Sequence, residues 1–270
     1  MAGTENLKTL EHLFGLERRV VMVTGAAGQL GRALVSALSA LGARVLATDA
    51  SEKGLREVAE ACGWEKESVA VTRCDIRERR DVKAAIELGK KSFGGIEKLI
   101  NNAGVSVFEP YLERPESSIQ WVMDVNLKGT TLCIQEFIKH RIEKGGKGAI
   151  VNIASHYGVI SPDPRIYTDC ERMNSEIYGA TKAGIIQMTK YFAVHAAEHH
   201  IRVNAVSPGG IRNPDNPQGG DFQQNYGFRC PMGRMAETEE MVGSVLFLLS
   251  RSAAYINGHN LVVDGGMSAW

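Results

Sequence analysis

The chain has 270 residues, 44% of them hydrophobic, and its Lys+Arg and Asp+Glu counts are equal at 31 each. That length suits one large domain with a sizeable core, and balanced charge without a basic stripe argues against a nucleic-acid partner. No run of about 18 apolar residues offers a membrane span, and five cysteines (Cys62, Cys74, Cys133, Cys170, Cys230) without paired metal spacing fit a reducing cytoplasm.

Residues 1–17 lack a signal-peptide pattern, and Leu7, Leu10, Leu13 and Phe14 predict a short amphipathic lead-in helix. Val20–Thr24 is an apolar, β-branched run that reads as a strand, and Leu30, Ala33, Leu34, Ala37, Leu38 and Leu41 follow at helical spacing. Between them lies Thr24-Gly25-Ala26-Ala27-Gly28-Gln29-Leu30-Gly31. Glycines between a strand and a helix permit a tight turn and let backbone amides approach a pyrophosphate at the helix N-terminus. The second strand, from Arg44, closes on Asp49, about 20 residues on, where an acid meets the adenosine ribose hydroxyls. A 2′-phosphate there meets like charge, so NAD is favoured over NADP. Arg32 and Arg44 are the cations that argue the other way, and Asp49 also fits an ordinary helix-capping role.

Ser51 is a plausible cap for the next helix. Further strands are predicted at 69–74, 98–100, 149–153, 202–206 and 261–263, with helices near 79–92, 116–142, 177–199 and 238–250. Strands separated by helices imply right-handed βαβ units and a parallel sheet covered on both faces. The stretch 207–235, rich in Pro, Gly, Asn and Gln, reads as a long irregular lid.

In the run Ile177-Tyr-Gly-Ala-Thr-Lys-Ala-Gly184, Tyr178 and Lys182 stand four residues apart, on one face of a helix. A free tyrosine, with a pKa of about 10, is a poor base near neutrality. An ammonium beside it favours the phenolate. A downward shift of about three units corresponds to roughly 4 kcal/mol and places a proton acceptor near working pH. Taken alone, the spacing fits equally well a surface tyrosine stacked on a lysine stem.

Together with Asn101-Asn-Ala-Gly104, Asn126, Ser155, Pro208-Gly209 and Asp264-Gly-Gly266, these features resemble the short-chain dehydrogenase/reductase family, in the family's order over residues 18–266. The resemblance implies an α/β, single-domain Rossmann fold over 18–270, with a seven-stranded parallel sheet and helices on both faces. It implies NAD(P)-dependent hydride transfer and a homotetramer or homodimer. By the same resemblance Tyr178 is the catalytic acid–base, and Lys182 lowers its pKa and binds the nicotinamide ribose. Ser155 orients the substrate oxygen, and Asn126 holds a proton-relay water. Cofactor contacts are implied for Gly25, Ala27, Gly28, Gln29, Leu30, Gly31 and Asp49 around the glycine turn and for Asp75 and Ile76 at the adenine. Asn102, Ala103 and Gly104 flank the dinucleotide, and Pro208, Gly209, Ile211 and Asn213 meet the carboxamide. The chain departs from the pattern in its Gly25-x-x-Gly28-x-x-Gly31 spacing, which is commoner in the family's larger sugar-nucleotide branch. It departs again in Asn213, where a threonine usually follows Pro-Gly.

Ser155 and Tyr178 are 23 residues apart, well beyond the family's usual separation. The surplus is a polar insertion at 161–176, whose ends lie at the active-site mouth. Arg165, Tyr167 and Arg172, with His156, are therefore substrate candidates, for a phosphate, carboxylate or sugar hydroxyls. A solvated loop without specific contacts is the alternative. The stretch 157–178 also resembles bacterial oxidoreductases of flagellin modification and legionaminic-type sugar synthesis, implying a role in carbohydrate biosynthesis. No metal is expected: His195 and His199 share a helix face but lack a third ligand. A 3-oxoacyl-carrier reductase and a non-catalytic NAD sensor or scaffold are the rival functions.

Overall fold

The computed structural model describes residues 9–64, 68–169 and 172–270; Leu7 and Cys170 lie outside them. Its strands are β1 (Val20–Thr24), β2 (Arg44–Asp49), β3 (Val69–Arg73), β4 (Lys98–Asn101), β5 (Gly148–Ile153), β6 (Ile201–Pro208) and β7 (Asn260–Val263). They form one seven-stranded sheet in the order β3-β2-β1-β4-β5-β6-β7. Every pairing in it is parallel. The central strands are apolar because both of their faces are covered: all of β1 is buried, as is β5 after its first residue. The edge strands β3 and β7 alternate or stay half-exposed.

A helix, α1, is described over 9–14. The others are α2 (Gln29–Ala40), α3 (Glu52–Ala61), α4 (Arg79–Phe93), α5 (Glu116–Met123), α6 (Thr130–Glu143), α7 (Glu176–His195), α8 (Gly220–Arg229) and α9 (Thr238–Leu249). Leu34 and Leu38 of α2 and Val245 and Leu249 of α9 pack on one sheet face, with Leu55 of α3. Val82 and Ile86 of α4 and Ile134 and Phe137 of α6 fill the other. Each such side chain contributes about 1.5–3 kcal/mol by leaving water. Ser51 caps α3 as predicted, its hydroxyl accepting from the Gly54 amide at 3.1 Å.

Two departures from the sequence reading bear on the site. The helix predicted at 116–142 is continuous but carries a π-helical turn, Asp124–Gly129, between α5 and α6. Such turns rephase the faces of a helix and recur at functional sites. Within the stretch read as irregular, residues 220–229 form α8.

Just before β4, two consecutive α6 side chains hold both backbone polar groups of one residue. The Ile96 amide donates to His140 Nε2 at 2.9 Å, and Arg141 donates to the Ile96 carbonyl at 3.0 Å. Gly95 precedes it at φ 145°, a conformation that suits glycine alone.

Candidate active site

The strand order reverses between β1 and β4, so the loops after these strands part and leave a crevice at the carboxyl edge of the sheet. A cleft of about 370 Å³ occupies it, lined by Gly25, Gly28, Asp49, Ile76, Gly104 and Trp121 among others. That volume is in the usual range for a small-molecule site.

The glycine turn is built by close approach. Gly25 has φ 64°, and a Cβ on it would lie 2.7 Å from Ala103 Cα. A Cβ on Gly31 would lie 2.1 Å from the Gly25 carbonyl oxygen, so α2 packs directly on the turn. Gly28 caps α2 with extended backbone, and the nearest neighbour of a Cβ there would be the Gly25 oxygen at 3.4 Å. The 25-28-31 spacing therefore yields a tight turn, a cap open to the cleft and a close helix packing. Asn102 ties the turn to β4, donating to the Thr24 and Gly25 carbonyls at 3.1 and 2.9 Å. This cradle fits a pyrophosphate.

Asp49 is fixed by backbone: its carboxylate accepts from the Ala27 amide at 3.1 Å and the Ser51 amide at 2.9 Å. Of the two cations weighed against NAD, Arg32 pairs with Asp215. Arg44 starts β2, five residues before Asp49 and so about 16 Å away along the strand. Asp75 is gripped by Arg77, whose hydrogen bond holds its carboxyl below the ordinary value. Gln29 faces away from a purely local role and donates to the Arg212 carbonyl at 2.6 Å and to Thr238 Oγ1 at 2.8 Å. It thus joins the glycine turn to the segment after β6.

The four catalytic candidates converge from three elements. Ser155 follows β5; its hydroxyl accepts from the Tyr157 amide at 3.1 Å and lies beside Tyr178 of α7, whose pKa it lowers. Lys182 lies 5.5 Å from the Tyr178 ring centroid and donates to the Ile153 carbonyl at 2.9 Å. Asn126, wholly buried in the π turn, accepts from the Val105 amide at 2.9 Å and donates to the Val105 carbonyl and Thr181 Oγ1, each at 3.0 Å. Gly104 fits between the two: a Cβ on it would lie 3.3 Å from Lys182 Nζ and 3.5 Å from Asn126 Oδ1.

The electrostatics correct the sequence expectation. Desolvation pushes Tyr178 above its ordinary pKa; the Ser155 hydrogen bond pulls it back, and Tyr167 pushes it further up. Burial brings Lys182 down to about 8. Removing both groups from water penalises both charges, and burial is the largest cause of each shift.

His156 is buried, with Nδ1 2.9 Å from the Pro208 carbonyl oxygen. It therefore links the serine loop to the end of β6. Gly209 donates to Val263 at 2.8 Å, Ile211 bridges to Ala236, and Asn213 Oδ1 accepts from the Asp215 amide at 3.0 Å, so its side chain holds a turn.

The insertion delivers one substrate candidate to the centre and spends two elsewhere. The Tyr167 hydroxyl is 2.6 Å from that of Tyr157, beside Tyr178. Arg165 is exposed and grips Asp163, and Arg172 donates to the Pro217 and Asn216 carbonyls at 2.8 and 3.4 Å. Both guanidiniums have partners within the chain. The sequence reading missed Tyr157, Arg77 and Trp121 as neighbours of the site. The first two sit two positions after Ser155 and Asp75, which is a usable signal. Trp121, on α5, carried none.

The family model described as enoyl-(acyl carrier protein) reductase matches residues 25–268. A 2,5-dichloro-2,5-cyclohexadiene-1,4-diol dehydrogenase of Sphingobium indicum is 36% identical over 94% of this chain and 98% of its own length. A D-threitol dehydrogenase of Mycolicibacterium smegmatis is 33% identical over 94% of each chain. Among solved structures, a short-chain dehydrogenase from Leptospira borgpetersenii with bound NAD+ superposes with a TM-score of 0.85, at 37% identity over 94% of each chain.

Proposed function

The chain belongs to the short-chain dehydrogenase/reductase family, and on that premise we propose that it oxidises a secondary alcohol of a polar, polyhydroxylated substrate to a ketone, with NAD as cofactor. The observation that carries the reading is the convergence of Ser155, Tyr178 and Lys182 beside a glycine cradle and a backbone-fixed Asp49. Gly25, Gly28 and Gly31 would hold the pyrophosphate, Asp49 the adenosine ribose, and Lys182 the nicotinamide ribose. Bound NAD supplies the hydride acceptor.

The rest of the chemistry belongs to the chain. Ser155 holds the alcohol oxygen, and Tyr178 takes the hydroxyl proton as hydride leaves the carbon. Lys182 lies beside the tyrosine ring and, when charged, stabilises the phenolate. Asn126 keeps Val105, and with it Gly104, against Lys182. The 1,4-diol and threitol substrates named for two relatives, and the resemblance of residues 157–178 to sugar-modifying oxidoreductases, support a polyol or sugar substrate. The described cysteines are unpaired, which favours the cytoplasm, and the family resemblance favours a homotetramer or homodimer.

Tyr178→Phe should leave NAD binding intact and cut turnover by at least about a hundredfold, the usual worth of a general acid–base. A screen of polyols, sugars and sugar phosphates for NAD reduction is the assay, and full activity in the variant would sink the assignment. The family model's description favours a second reading, a reductase of acyl-carrier substrates. Reduction of a 3-oxoacyl thioester with NADPH, without turnover of any polyol, would establish it instead.

A further inference from the structure

Helix α8 has no cap of its own. Its N-cap is Gly219, which carries no side chain to receive the first amides. The acceptor comes from the insertion instead: Asp169 Oδ2 accepts from the Asp221 amide at 3.0 Å, and Oδ1 accepts from the Phe222 amide at 3.1 Å. The carboxylate lies so close that a Cβ on Gly219 would sit 2.0 Å from Oδ2. A carboxylate at a helix N-terminus is favoured by the helix dipole as well.

The capped helix reaches the reaction centre through two hydroxyls. Tyr226 of α8 accepts the Gly210 amide at 2.7 Å, beside the Pro208–Gly209 segment. On the insertion side, the Tyr167 ring packs tilted against Phe222 with centroids 5.1 Å apart, while its hydroxyl meets Tyr157 beside the catalytic group. Asn225 of α8 also donates to Thr168 Oγ1 at 3.0 Å.

We propose that Asp169 is the positioning residue of the lid: by capping α8 from outside, it fixes the wall over the alcohol before any ligand binds. The proposal rests on the reading that 207–235 closes over the substrate. A lid released from this cap would have to be reordered at each binding event, which lowers the apparent affinity by the fraction of competent enzyme.

The test is amide hydrogen exchange of residues 220–229 in the ligand-free full chain, beside steady-state kinetics. The wild type should exchange slowly without ligand. Asp169→Ala should exchange about tenfold faster, the scale of one lost cap, and Asp169→Asn, which keeps an acceptor oxygen, should fall between. Gly219→Ala should mimic Asp169→Ala, and the double variant should equal Asp169→Ala alone, because the clash needs the carboxylate. With any alcohol that is oxidised, the KM of Asp169→Ala should rise about tenfold and kcat stay within about twofold. Unchanged exchange in Asp169→Ala, an added effect of Gly219→Ala upon it, or a fall in kcat at constant KM would each overturn the proposal. If no alcohol is oxidised, the proposed activity fails while the exchange data still decide the role of Asp169.

Discussion

Tyr178 and Lys182 are each pushed toward their neutral forms, one upward and the other down to about 8. Alcohol oxidation needs the tyrosine to accept a proton, so its rate should rise with pH on the alkaline side. The Ser155 hydroxyl is the neighbour that pulls Tyr178 down. Ser155→Ala should therefore do two things. It should cost about a hundredfold in rate, as loss of a polarising donor does, and it should move the alkaline limb of the pH–rate profile to higher pH. A slower enzyme with an unmoved limb would mean that Ser155 only orients the substrate. The identities of these residues were legible from the Tyr-x-x-x-Lys spacing and the order of motifs. The direction of the tyrosine shift was not, because desolvation belongs to the packed site and leaves no mark in spacing.

Among the elements, the strand–glycine–helix unit was the easiest to read and α8 the hardest. An apolar β-branched run, a glycine turn and a periodic leucine face are all local signals. Residues 220–229 begin and nearly end with glycine, carry Gln and Asn between, and take their cap from residue 169. Nothing within that window announces a helix. The glycine turn also gives a sharp expectation. Gly31→Ala places a methyl 2.1 Å from the Gly25 oxygen and must lift α2 from the turn. Dinucleotide affinity should fall at least about tenfold, with a destabilisation of about 1–3 kcal/mol from overpacking. Fluorescence titration and thermal unfolding would measure the two. Unaltered affinity would mean that the pyrophosphate does not depend on this contact.

For the whole molecule, alternating strands and helices were enough to predict the parallel sheet, since such units close in one hand. The strand count came with the family resemblance, and the strand order across the sheet only with the structure. Buried histidines link this architecture to pH. Burial holds His140, faced by Lys90, Arg141, Glu143 and Lys144, below 6.5. It does the same to His156, which faces Asp264 and the Pro208 carbonyl. Between their folded values and 6.5, the unfolded chain binds protons that the folded chain does not. Stability should therefore be full above pH 6.5 and fall as the pH drops below it. Thermal unfolding between pH 7.5 and 5.5 should show this loss. His140→Gln, which keeps an acceptor for the Ile96 amide but cannot titrate, should flatten the slope. An unchanged slope would exonerate His140.

The pairing of β6 with β7 has a consequence for the order in which the chain is made. The turn, Asp49 and the Asn102–Gly104 stretch are all present once residue 104 has been synthesised. Gly209, at the other end of the crevice, takes its partner from Val263, and a Cβ on it would lie 2.8 Å from Asp264 Cα. A nascent chain therefore holds the glycine turn, Asp49 and Asn102–Gly104 some 160 residues before the surroundings of Gly209 can be completed. A ribosome-bound fragment halted before residue 155 carries the glycine turn and Asp49 and has none of Ser155, Tyr178 and Lys182.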